Sequence, residues 1–259
     1  MFESLFRKRS VAVTDTHSQN TLLVDVHSHV LPCLDDGAEN LDNSLALLRG
    51  MKAMGYKKVI ATPHVMSGYY DNTIEKINQA LGLVRDLASR NNIDIEVEAA
   101  AEYYLEDELL NKIEQGEKML TLDEENKYLL FETSFIGRPS YLKESVYRII
   151  QAGYKPVLAH PERYTYLQKD FDSLKRLFDM GVLFQVNINS LTGYYLKPAQ
   201  DIAEWLINRK MVAFLGSDCH NVHQLENTKS ALQLPHYQIA VKQNLLNNSL
   251  LKKKTLVSA

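Results

Sequence analysis

The chain has 259 residues, 45% of them hydrophobic and 24% charged, which excludes a disordered or fibrous protein and leaves material for a sizeable core. Its 29 Lys and Arg against 32 Asp and Glu give a formal charge of −3, so no general field draws in nucleic acid or an anionic membrane, and any bound anion must be held locally. Two cysteines make no disulfide framework, no run approaches the ~18 apolar residues of a membrane helix, and MFESLFRKRSVAVTDTHSQN lacks the apolar segment of a secretory signal, so a cytoplasmic protein is expected.

In chain order, residues 1–20 are polar and basic and read as a flexible tail, and LLKKKTLVSA at the other end is similar. Residues 21–259 show no linker or composition break and are expected to form a single domain. The first β-rich run, LLVDVHSH, carries His27 and His29, which alternate along a strand and point the same way; Asp35 and Asp36 follow in the next loop. ENLDNSLALLRGMKAMGY spaces its apolar residues by three and four and predicts an amphipathic helix. KVIATPH then ends at His64, and NTIEKINQALGLVRDLASR predicts a second helix. IDIEVEAAAE ends at Glu102, with Glu98 as a competitor near the same end, and YLLFETS reaches Glu132. SYLKESVYRIIQAGY is helical in pattern, KPVLAH ends at His160, FDSLKRLFDMG is helical again, VLFQVNIN ends at Asn189, and VAFLGSDCH closes on Asp218 and His220.

The seven run ends recur every 28 to 38 residues, the period of a βα unit, and an α/β fold with parallel strands follows. Parallel strands bring all the polar ends to one side. In a closed barrel that side is one rim, where barrel enzymes carry their active sites.

Imidazole and carboxylate groups are ligands for divalent Zn, Mn or Fe, and so many acids together would repel one another without cations to neutralise them. A single histidine at a strand end is usually structural. Here five of the eight histidines lie at such ends, each beside or in step with an acid, and the set taken jointly implies several metals. His17, His223 and His236 lie elsewhere, and solvated roles are expected for them.

VDVHSHVLPCLDDGAEN, ATPH, AHPERY and GSDCH together resemble the PHP (polymerase and histidinol phosphatase) superfamily, in particular its bacterial manganese-dependent tyrosine-protein phosphatases of capsule and exopolysaccharide operons. The likeness runs from about Val24 to Asn221; LPxxDDGA and AHPERY carry the phosphatase branch. It implies a distorted seven-stranded (β/α) TIM-like barrel, the PHP fold, with three divalent metal ions, Mn first and Fe or Zn as alternatives. By the same resemblance one ion takes His27, His29, Glu102 and Asp218, a second Glu102, Glu132 and His160, and a third Asp36, His64 and His220. Asp36 is chosen over Asp35 because it precedes the glycine. The implied partner is a phosphotyrosine protein, an autophosphorylating bacterial tyrosine kinase of polysaccharide export.

A phosphomonoester is dianionic near neutral pH and hydrolyses extremely slowly unaided, so catalysis must neutralise it and present a nucleophile in line. A metal cluster does both: it lowers the pKa of bound water toward about 7, supplying a hydroxide, and holds the phosphate oxygens. Catalytic roles are expected for Arg163, Asp218 and His220. Arg163 can grip phosphate through two parallel hydrogen bonds, and its competing role is an ion pair with Glu162 or another rim acid. The second arginine that usually follows DxH in the family is missing from SDCHNVHQLENTK, where His223 and Lys229 are the only nearby basic groups; His223 or Arg138 could replace it.

Cysteine-based phosphatase chemistry needs an Arg six positions after the thiol, but Glu39 follows Cys33 and Leu225 follows Cys219 at that spacing. Burial as small apolar residues is expected for both cysteines. GxGxxG, GxxxxGK[ST] and GxSxG are absent. Several of the fourteen tyrosines adjoin the ligand segments, where packing over the barrel explains them as well as a cleft for an aromatic ester. Three other readings compete: a phosphatase of a small metabolite such as histidinol phosphate, a metal-loaded module that docks on a kinase without hydrolysis, and an amidohydrolase. The last often needs a Lys on the fourth strand, where this chain has Glu132.

Overall fold

The computed structural model describes residues 21–251. The expected N-terminal tail, His17 and the basic stretch after residue 251 lie outside the described residues.

The seven β-rich runs form parallel strands. They are β1 (Val24–Asp25), the consecutive pair β2 (Lys58–Ala61) and β3 (His64–Val65), the pair β4 (Glu96–Ala99) and β5 (Glu102–Tyr104), β6 (Tyr128–Glu132), β7 (Lys155–Ala159), β8 (Leu183–Asn187) and β9 (Val212–Gly216). Pairing runs β1-β2-β4 in one sheet and β3-β5-β6-β7-β8-β9 in the other, every ladder parallel. Because β2 runs on into β3 and β4 into β5, the two sheets are halves of one ring. A parallel bridge between Ser28 and Cys219 joins the last run to the first.

The β1–β9 seam is held in large part by side chains. Asp218 N donates to His27 O (2.8 Å) and His29 N to Cys219 O (3.0 Å) at one end. Lower down, Asp25 Oδ1 accepts from Ser217 N at 3.0 Å. At the far end, Asn247 Nδ2 donates to Val24 O and Leu215 O while its Oδ1 accepts from Leu215 N, at 2.7 to 3.0 Å.

Helices alternate with the strands. The four patterns singled out in the sequence are α1 (Leu41–Ala53), α2 (Ile74–Arg90), α4 (Leu142–Gln151) and α5 (Phe171–Asp179); α3 (Asp107–Glu114), α6 (Leu196–Asn208), α7 (Val222–Ala231) and α8 (Pro235–Ala240) complete the set among the described residues. In α2, Thr73 caps the first turn by accepting from Lys76 N, and Ile77, Ala80, Leu81, Val84 and Ala88 form the buried stripe at three- and four-residue spacing. Asn40, Asp170 and Asn221 cap α1, α5 and α7 in the same way.

Strand alternation separates two cores. On β6, Leu129 and Phe131 join the large cluster that packs under the helices, whereas Tyr128 and Leu130 join a smaller cluster with Val24, Val157 and Phe214. Leu122 and Leu250 belong to that smaller cluster at the end where strands begin. Lys58, the first residue of β2, is buried there with 2% of its side chain exposed, 2.7 Å from Glu98 and donating to Leu250 O. Glu98 therefore lies away from the ligand residues, and Glu102 is the acid of this run that faces them.

Candidate active site

The opposite end, where strands finish, gathers nine side chains in four overlapping groups whose ligand atoms lie within 4.8 Å of one another: His29, Asp36, His64 and His220; His27, His29 and Asp218; His27, Glu102 and His160; and His64, Glu102 and Glu132. These are the nine positions singled out in the sequence, contributed by six of the seven runs and the loop after the first.

Register explains how they meet. Parallel pairing sets His64 opposite Glu102 and Tyr104 opposite Glu132. Glu102, fully buried, sits at the centre with its oxygens facing different sides: Oε1 is 2.9 Å from His160 Nε2, and Oε2 is 3.0 Å from His27 Nε2 and 3.2 Å from His64 Nδ1. The grouping of Glu132 with His160, implied by the family likeness, is not the one found. Glu132 Oε1 lies 3.0 Å from His64 Nδ1, and Glu102 stands as the common member of both groups. Asp36 Oδ1 is 3.4 Å from His220 Nε2 and 3.6 Å from His64 Nε2. Asp35 instead turns inward, accepting from His64 N and contacting His29 Nδ1 at 2.7 Å, which orients that imidazole.

Local backbone geometry is bent to this purpose. His160 and Asp218 carry positive φ (32° and 52°), strained for residues with side chains, as the chain turns off β7 and β9. Gly37 and Gly216 are required by close approach: a Cβ on Gly37 would meet His29 Cβ at 2.4 Å, and one on Gly216 would meet His27 Cβ at 2.6 Å.

Burial and charge act against each other throughout the cluster. Burial pushes the His27 imidazole down, but Glu102 and Asp218 beside it hold it above the ordinary histidine value. Burial likewise opposes His64, yet Glu102 and Glu132 raise it to about 9. Glu102 and Asp218 resist the upward push of burial and lie well below the carboxylate range, Glu102 through His27, His64 and His160, and Asp218 through His27, His29, His220 and Arg163. The acids are thus balanced by imidazoles. A buried cluster of anionic oxygens and ring nitrogens, all within ligand distance of one another, fits divalent cations, which would take over the neutralising role.

Several contributors escaped the sequence reading. Gln185 Oε1 lies 2.7 Å from His27 Nδ1, and Asn187 Nδ2 donates to Asp218 Oδ2 at 2.6 Å. Asn189, the expected end of this run, is buried in the 3-10 turn after β8, where its Oδ1 accepts from Thr228 and its Nδ2 donates to Gln224 O. The turn takes it off the strand face that Gln185 and Asn187 share; the alternation F-Q-V-N was the available signal.

A cleft of about 710 Å³ opens over the cluster. Asp36, His64, Glu132, His160, Asp218 and His220 reach its wall, and Met66, Tyr69, Tyr70, Tyr104, Phe135 and Tyr195 give it an aromatic and apolar lining. Arg163 also lines it, donating from Nη1 to Asp218 Oδ2 at 2.8 Å. Its acidic neighbour Glu162 is not its partner: that carboxylate is buried and accepts from Asn187 N and Ser190 Oγ. Neither proposed substitute for the missing arginine lines this cleft. Arg138 donates to Ser173 Oγ and lies 3.7 Å from Asp170, and His223 is exposed beside Tyr194. His236 is on the surface side, 3.4 Å from Glu204. Of the cysteines, Cys219 is buried, its thiol pushed up to about 12 by burial, whereas Cys33 is exposed, contrary to expectation, because the turn before Asp35 projects it outward.

The family "Capsular polysaccharide synthesis, CpsB/CapC" matches residues 23–240. The tyrosine-protein phosphatase YwqE of Bacillus subtilis is 30% identical over 200 residues, 77% of this chain and 78% of that one. The tyrosine-protein phosphatase CpsB of Streptococcus pneumoniae is 29% identical over 205 residues, 77% and 84% of the two chains. Among solved structures, one described with YwqE and CpsB as metal-dependent tyrosine phosphatases superposes with a TM-score of 0.78 at 26% identity, over 88% of this chain and 94% of that one. A histidinol phosphate phosphatase of Lactococcus lactis shares the fold at TM-score 0.50 and 14% identity, over 82% and 93% of the chains.

Proposed function

The chain belongs to the capsular polysaccharide synthesis family CpsB/CapC, and from that premise we propose that it is a metal-dependent tyrosine-protein phosphatase, a phosphoric monoester hydrolase. Its substrate is a phosphotyrosine protein, and a bacterial tyrosine kinase of polysaccharide synthesis, encountered in the cytoplasm, is the partner we infer. Residues 21–259 act as one phosphatase domain. The observation that carries this reading is the convergence of nine imidazole and carboxylate side chains beneath an aromatic-walled cleft.

Three divalent ions, manganese first among the candidates, would be held by His27, His29, Glu102 and Asp218, by Glu102 with Glu132 or His160, and by Asp36, His64 and His220. Such ions supply charge neutralisation for a dianionic ester and a lowered pKa for water. The chain's own residues do the rest. Asp35 and Gln185 hold the rings of His29 and His27 in orientation. Arg163 meets the phosphate oxygens, while Asp218 and His220 fix the last strand end beside it. Tyr69 and Tyr70 receive the aromatic ring of the ester and shield the site from water.

The wide, aromatic cleft favours a phosphotyrosyl protein over a small metabolite. The test is phosphate release from a phosphotyrosine peptide and from histidinol phosphate by protein stripped with chelator and reloaded with manganese. Manganese-dependent turnover, faster on the peptide, is expected. Hydrolysis that survives complete stripping, or faster turnover of histidinol phosphate, overturns the reading, and binding of a kinase without any phosphate release replaces it by a docking module. Elemental analysis with an anomalous diffraction map counts the ions.

A further inference from the structure

Arg163 is the one Lys or Arg side chain in the wall of the cleft among the described residues. Two aromatic rings flank it. The guanidinium carbon lies 4.3 Å from the centroid of Tyr195, in the loop before α6, and 4.6 Å from that of Phe135, in the loop after β6. Phe135 in turn stacks on His160, with centroids 5.6 Å apart and planes 22° from parallel, and His160 stacks on His27 at 5.5 Å. Five planar groups from four segments of the chain, His160 and Arg163 sharing the turn after β7, thus form one file running from Tyr195 through Arg163 and Phe135 into the ligand cluster.

A free rim arginine surrenders much side-chain freedom when it grips an anion, and a guanidinium in open water is screened. Ring faces on the guanidinium remove that freedom in advance, attract its charge, and exclude water while leaving the in-plane N–H groups that Asp218 does not engage available. With no second arginine in the wall, the single cation depends the more on being held. Resting on the phosphatase reading above, we propose that Tyr195 and Phe135 are positioning residues that hold Arg163 as the phosphate clamp.

The test uses the full chain loaded with manganese. Inorganic phosphate binding is measured by calorimetry, and KM and kcat by turnover of a phosphotyrosine peptide, with metal content as the check on folding. Tyr195→Leu and Phe135→Leu are each expected to weaken phosphate binding and raise KM about tenfold, with metal content kept. Tyr195→Phe, which keeps the ring, recovers most of the affinity, and Tyr195→Leu adds nothing in an Arg163→Ala background. If the leucine variants bind phosphate as the parent does while Arg163→Ala does not, the positioning role falls and the clamp stands. If Arg163→Ala binds phosphate normally, the clamp itself falls. Tyr195→Phe as damaged as Tyr195→Leu assigns the effect to the hydroxyl and overturns the proposal. Should Tyr195→Leu lose its metal, Phe135→Leu carries the comparison.

Discussion

Both ends of the ring bury charge, but they satisfy it differently. Where strands begin, Lys58 meets Glu98 at 2.7 Å, Glu96 at 3.4 Å and the carbonyl of Leu250, so its partners all come from the chain. Where strands end, Glu102 and Asp218 have imidazoles and one guanidinium about them, and the rings that face them are crowded against one another. The first arrangement stabilises a fold; the second suits a site whose neutralising charge arrives from outside.

That contrast breaks most visibly at its centre. Glu102→Gln removes the carboxylate shared by two ligand groups and is expected to lower phosphatase turnover by about 10³-fold, with loss of bound metal in elemental analysis. Turnover and metal content like the parent's would end the case for a central bridging acid. Gln185→Leu leaves every ligand in place but frees the His27 ring. It is expected to raise the manganese concentration for half-maximal activity by about 10- to 100-fold, and an unchanged titration would make Gln185 structural only. At the other end, Lys58→Met should cost about 1–3 kcal/mol in urea unfolding, below the ~3–5 kcal/mol of a sealed pair, because the side chains of Glu98 and Glu96 are 24% and 43% exposed and can be hydrated. Turnover per folded molecule should not change. A loss of turnover without a loss of stability would erase the distinction between the two ends.

The sequence displayed the charged members of the site because ionisable residues at strand ends are few and chemically conspicuous. His27, His29, His64, Glu132, His160, Asp218 and His220 were legible as ligand-type residues at run ends, Glu102 only with Glu98 as its competitor; the recurrence of the runs pointed to parallel βα units, while the barrel was implied by the family resemblance. Gln185 and Asn187 were not, since neutral amides in a β-rich run carry no such signature until the register is known. The partner of Glu132 was equally hidden, because it depends on which oxygen of Glu102 faces which strand. The brevity of β1 was also unreadable: LLVDVHSH looks like a long strand, yet Asp25 and Ser217 side chains replace part of its ladder with β9.

The seam between the first and last strands depends on Asn247, some thirty residues after β9, to complete its hydrogen bonds. Its one carboxamide meets Val24 on the first strand and Leu215 on the last, so the segment after β9 serves as a clasp on the closure that sets His27 beside Asp218.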